Sequence, residues 1–306
     1  MRDFATPIAC ALALAASATL GALAPESTWA PQPVAPPARP ARIVSLTLPA
    51  DEIVLALVSP ERVLALEAYV DDAQASNVVD EARAVRGRMH QPITAEAVIA
   101  ARPDLVLLSG WSDPQLEALL GVQGVPVERV LSAQSLEGTR AQITRIGELL
   151  DERQRAREVI AAMDARIDAV RARGAARTWR PRVLLFSWSG HTPAEGTLFC
   201  ELVDLAGGSC ASTEAGLSGY APLTIEHLLE LDPDVIVTNR YRADGRARAV
   251  VPEPALEDDP RLRTLRAVRE DRVVALPSAH LLATSHHVAS LAEDLSRALD
   301  ALEPAR

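Results

Sequence analysis

Apolar residues along positions 135–174 recur at the spacing of one helix face, among them Ile143, Ile146, Leu150, Val159, Met163, Ile167 and Val170. The pattern predicts helix throughout this stretch. Asp151 with Gln154 resembles a capping box, which divides it into a shorter helix and a long one of about 22 residues ending at Gly174. Upstream and downstream the apolar pattern shortens to buried strands. Residues 93–108 (ITAEAVIAARPDLVLL) and 223–238 (LTIEHLLELDPDVIVT) repeat each other at a constant offset. In both copies a threonine, Thr94 or Thr224, stands as helix N-cap, and Glu96 or Glu226 supplies a first-turn acid. Pro103 or Pro233 then stops the helix before a strand. Each half also opens on an apolar run that reads as a strand, residues 42–48 and 181–188. Further strands, 128–131 and 271–276, follow the echoed units.

The predicted fold class is therefore α/β: two similar α/β lobes joined by one long rigid helix, with a ligand cleft between the lobes. One long helix is a stiff connector that leaves little hinge motion. The expected boundaries are a leader over 1–30, a proline-rich linker over 31–40, an N-terminal lobe over 41–134, connecting helices over 135–174 and a C-terminal lobe over 178–306. The leader rests on residues 8–24 (IACALALAASATLGALA), an apolar run without an acidic residue, which reads as an export signal and is short for a membrane span.

Composition narrows the function. The formal net charge is −10, and the chain contains no lysine, so every basic side chain is arginine. That balance excludes a nucleic-acid surface, which requires a basic face. Cys200 and Cys210 are close in sequence, and in an exported chain they are a disulfide candidate. Enzyme motifs are missing: SWSGH at 187–191 lacks the glycines of a nucleophile elbow, and no phosphate-cradling glycine loop or metalloprotease helix occurs. The chain is expected not to be an enzyme and to need no cofactor of its own.

Four segments in this order, 43–53 (IVSLTLPADEI), 95–106 (AEAVIAARPDLV), 196–208 (GTLFCELVDLAGG) and 219–237 (GYAPLTIEHLLELDPDVIV), make nearly all of residues 41–304 resemble the periplasmic solute-binding proteins of ABC importers for cobalamin, ferric siderophores and haem. The resemblance implies periplasmic location, a monomer, capture of an iron chelate (ferric siderophore or haem) or cobalamin, and delivery to a membrane permease. Glu96 and Glu226 match the glutamates with which the family docks, one per lobe, onto permease arginines.

Solutes bind beyond the carboxyl ends of the strands in open α/β sheets. That rule nominates Tyr69, Trp111, Trp188, His191, Arg240, Tyr241 and His280, with His90 in the loop before the first echoed helix. Rings suit a flat or macrocyclic ligand, and Arg240 suits its carboxylates. One of His90, His191, His280, Tyr69 or Tyr241 could coordinate the metal centre of the cargo, which contains Fe or Co. Where cobalamin binders are expected to carry an aromatic in the last cleft loop this chain has His280, and no acid–arginine pair follows it. That departure counts against cobalamin. The alternative is a direct zinc or manganese binder using His90, His191 and His280 as ligands.

Overall fold

The computed structural model describes residues 34–240 and 256–303. The expected leader and the first three residues of the expected linker, 31–33, lie outside them. The N-terminal half runs β1 (Ile43–Ser45), α1 (Leu48–Leu57), β2 (Val63–Glu67), α2 (Val79–Ala82), β3 (Gly87–Met89), α3 (Ala95–Ala100), β4 (Leu105–Ser109), α4 (Pro114–Val122) and β5 (Val127–Val130). Its five strands form one parallel sheet in the order β3-β2-β1-β4-β5. Two helices follow, α5 (Leu136–Leu149) and α6 (Arg153–Ala176). The C-terminal half runs β6 (Arg182–Leu185), β7 (His191–Pro193), α7 (Leu198–Leu205), β8 (Ser209–Cys210), α8 (Ala211–Glu214), β9 (Tyr220–Pro222), α9 (Ile225–Leu231), β10 (Val235–Arg240), α10 (Arg266–Arg269), β11 (Val273–Pro277), α11 (Ser278–Leu281) and α12 (Val288–Leu302). Four of these strands make a second parallel sheet, β11-β10-β6-β8, and β7 pairs antiparallel with β9 beside it. The architecture is two α/β lobes joined by helix. No described helix is long and apolar enough to cross a membrane.

Strand alternation decides which core each residue enters. In β4, Leu105 and Leu107 face one cluster while Val106 and Leu108 face another, and in β10 Val235 and Val237 part from Ile236 in the same way. The inner faces of both sheets drain into a single core. It joins Ile53 of α1, Ile143 of α5, Met163 of α6, Leu202 of α7 and Leu295 of α12. Each sheet's outer face has its own cluster, with Val98 and Leu120 in the N-terminal lobe and Leu228 and Leu262 in the C-terminal lobe. A common helical layer thus lies behind both sheets, and Arg166 of α6 pins it further by pairing with Glu293 of α12 at 2.8 Å. The lobes are joined by this shared layer as well as by the connecting helices.

The echoed units fold alike down to single bonds. Thr94 caps α3 by accepting the Ala97 N–H at 3.3 Å, and Thr224 caps α9 by accepting that of His227 at 3.2 Å. Arg102 and Asp232, the residues before the two prolines, both take a positive φ. Asp104 accepts the Arg42 N–H and Asp234 that of Arg182, each at 2.9 Å, and each donates its own N–H back to that residue's carbonyl. The repeated aspartate therefore fastens the echoed strand to the first strand of its lobe.

Local boundaries differ from the sequence expectation for identifiable reasons. The strand expected over 42–48 stops at Ser45, because Pro49 near the first turn starts α1 at Leu48. The strand expected over 181–188 stops at Leu185. Asp151 does not cap the long helix. It takes a φ of 58°, Glu152 holds the cap position, and the Gln154 side chain bonds Glu158 instead. The long helix passes through Gly174 to Ala176, covering 24 residues. Gly174 is required there by proximity, since a Cβ would stand 2.2 Å from the Leu205 carbonyl oxygen.

Candidate functional site

Parallel strands send their carboxyl ends to one edge of the sheet, and each returning helix starts at that same edge. Residues after β2, β4, β6 and β11, and residues just before α3 and α9, therefore gather at the strand-end faces of the two lobes. The two faces touch: the Asn77 amide, in the segment after β2, donates to the Ala279 carbonyl, just past β11, at 3.0 Å.

Tyr69 sits in a short helical turn directly after β2 and is half-buried, while His90 follows β3 and is exposed. Trp111 follows β4 and is 91% exposed, an unusual cost for the largest apolar ring. Trp188 is half-buried, with its ring edge-on to Phe186 at 5.1 Å and packed on the outer core of its lobe. His191 opens β7 and is exposed, its Nδ1 lying 3.3 Å from the Ser189 carbonyl oxygen. His280 lies in α11, not in a free loop. Its Nδ1 donates to Asp294 of α12 at 2.5 Å, which leaves Nε2 as the ring's acceptor position. Arg240 ends β10, but its side chain, Tyr241 and the following segment lie outside the described residues.

Sequence reasoning passed over Tyr220. It stands 63% exposed at the start of β9, opposite Pro193 and four residues before Thr224, the cap of α9. Its place in the segment leading into the echoed helix was the available signal, because such a segment approaches the helix start at the strand-end edge. Glu96 and Glu226 are both exposed in the first turns of α3 and α9. The α9 amide and the Thr224 hydroxyl hold Glu226 below the usual carboxylate range.

Beneath the N-terminal strand ends lies a group of buried carboxyls that composition could not announce. Asp51 is fully buried, and loss of hydration pushes it well above the usual carboxylate range; the Ser45 hydroxyl and the Glu67 N–H oppose that, and the charges of Glu67 and Glu52 add to it. Glu67 is raised for the same reason, with Gln91 donating to it at 3.3 Å. Across the seam, the His286 and His287 rings lie with centroids 4.2 Å apart, tilted by 39°, and burial drives both imidazoles toward the neutral form, His286 down to about 3. Among the described residues no three His, Cys, Asp or Glu side chains come together as a metal site. His90, His191 and His280 do not gather, so the direct zinc or manganese alternative has no structural support among them.

Cys200 of α7 and Cys210 of β8 are joined as a disulfide, with Cα atoms 5.3 Å apart.

A family model for periplasmic binding proteins matches residues 43–280. A cobalamin-binding protein of Halobacterium salinarum is 27% identical over 303 residues, spanning 91% of this chain and 79% of that one. The ferric-anguibactin-binding protein of Vibrio anguillarum is 26% identical over 216 residues, spanning 67% and 65%. Among solved structures, the periplasmic haem-binding protein BhuT, in complex with two haems, superposes with a TM-score of 0.68 at 27% identity, covering 84% of this chain and 98% of that one.

Proposed function

The chain belongs to the periplasmic binding protein family, and from that premise we propose that it captures a bulky metal chelate outside the cytoplasm and delivers it to an ABC permease. The observation that carries the reading is a pair of exposed aromatics, Trp111 just after β4 in the N-terminal lobe and Tyr220 at the start of β9 in the C-terminal lobe. Rings held out from two lobes suit a planar or macrocyclic ligand. Tyr69 and His280 then supply oxygen and nitrogen donors toward the metal centre. A haem, a ferric siderophore and a corrinoid all share this chemistry. The departure at His280 counts against cobalamin, whereas the relative that spans most of the chain is named for it, so a corrinoid stands beside the iron chelates as cargo. The chemistry is reversible binding, with no covalent step.

Glu96 and Glu226 dock the loaded protein. They occupy the same helical position in each lobe, at the edge that carries the ligand face, so two permease subunits would meet equivalent acids.

The test is an absorbance and tryptophan-quenching titration of the protein with haem, cobalamin and ferric siderophores. A Soret band that His280→Ala or Tyr69→Phe abolishes identifies haem and its axial ligand. Quenching by one siderophore or by cobalamin alone, weakened in Trp111→Ala, identifies that cargo. Silence with all three classes refutes the reading.

A further inference from the structure

We infer that Glu52 is a positioning residue that staples the two lobes together at the ligand face. Glu52 lies in α1 and is 2% exposed. One carboxylate oxygen accepts both the Asn77 backbone N–H, at 3.1 Å, and the Asn77 amide, at 2.8 Å. The other accepts the Ser285 hydroxyl, 233 residues away in the C-terminal lobe. The Asn77 amide also crosses the seam, to the Ala279 carbonyl at 3.0 Å. Ser285 is itself fully buried and accepts the His287 N–H at 3.2 Å.

The N-terminal lobe thus grips the segment from Ala279 to Ser285 at both ends, and that segment carries His280. The same Asn77 ends the segment that begins at the Tyr69 turn. Burying a carboxylate is unfavourable unless its lone pairs are filled. Among the described residues no basic side chain forms an ion pair with Glu52, so the filling comes from one neighbour in its own lobe and one in the other. Separating the lobes would break the Ser285–Glu52 and Asn77–Ala279 bonds together and exchange them for water, so these paired hydrogen bonds across the seam are what opposes opening. The helical layer already ties the lobes behind the sheets. A second tie between the lobes, through Glu52 and Asn77, restricts the hinge freedom that a single attachment leaves. Tyr69 and His280 are in this way held at a preset separation before any cargo arrives. This inference does not depend on the identity of the cargo.

The experiment measures the distance between spin labels on Ala100→Cys and Glu230→Cys, exposed positions in α3 and α9, in ligand-free protein. The parent should give a single narrow distance distribution. Ser285→Ala and Asn77→Ala should each lose it, broadening or gaining a second peak while circular dichroism stays unchanged, and the double variant should lose it further. Glu52→Gln keeps an acceptor for Asn77 and offers a donor to Ser285, so it should retain the narrow peak. A broad distribution in the parent, or a narrow one in the folded double variant, overturns the inference. Should Ser285→Ala fail to fold, the half-buried Asn77→Ala decides on the same criterion.

Discussion

His286 places a pH-dependent burden on the fold. Burial, then the neighbouring His287, Arg166 and Arg155, lowers its pKa from 6.5 to about 3. The unfolded chain takes up this proton as the pH falls through 6.5, but the folded chain does not. The contribution to stability is therefore intact above 6.5 and lost progressively toward 3, with a slope of up to about 1.4 kcal/mol per pH unit. His286→Phe keeps a ring against His287 and should flatten this acid slope in denaturation curves at pH 7.5, 6 and 5. Asp51 acts with the opposite sign. Its folded pKa is raised above 3.8, so its contribution is full below that value and is lost as the pH rises through the folded pKa. Asp51→Asn, which can still accept the Glu67 N–H, should stabilise the protein at pH 8 by about 1–3 kcal/mol. Equal stability of the two at pH 8 would show that Asp51 is ionised without penalty.

At the scale of elements, the echoed helix–strand units were legible because their signals are local: a hydroxyl before a helix, an acid in its first turn and a proline before a strand. The connecting helices were legible by period. Their ends were not, because contacts remote in sequence set them. Gly174 illustrates this. Its sequence context suggests a helix terminus, yet α6 continues past it, and the glycine is there because the backbone of Leu205 to Gly207 crosses α6 at that point. Gly174→Ala should cost about 1–3 kcal/mol by overpacking, measured as a fall in the urea midpoint, whereas a true helix-end glycine would tolerate alanine better. The Cys200–Cys210 bridge joins α7 to β8 across a separation of 10 residues. Chain-entropy reasoning values a loop of that size at roughly 2–3 kcal/mol. Cys200→Ser should lose that much, with reductant producing no further loss in the variant.

For the whole molecule, the proposed ligand face and the proposed docking acids lie at the same strand-end edge of each lobe. Charge reversal of both Glu96 and Glu226 should abolish uptake through the permease and leave ligand affinity unchanged, because both acids are exposed and tied to helix ends. A large loss of affinity in Glu96→Arg/Glu226→Arg would assign these acids to the ligand site instead. Transport assays with binding measured in parallel separate the two results. Under the proposed docking, the shared helical layer behind both sheets leaves local strand-end segments as the parts that would move when cargo is released.

Although His191 opens β7 and His280 lies in α11, residue order alone determined the two α/β lobes, the helical connector, the repeated acids and the strand-end positions of Tyr69, His90, Trp111, Trp188 and Arg240. These follow from periodicity and from the rule that parallel strands end together, and both are properties of local chain geometry. Tertiary structure alone decided which of these side chains are free. It left Trp111 and Tyr220 in solvent, turned Trp188 against Phe186 and tied His280 to Asp294. It also brought Glu52 within reach of Ser285, a partner 233 residues away. A side chain's exposure and its hydrogen-bond partner depend on neighbours brought in from distant positions, and no local pattern of hydrophobic and polar residues encodes those distances.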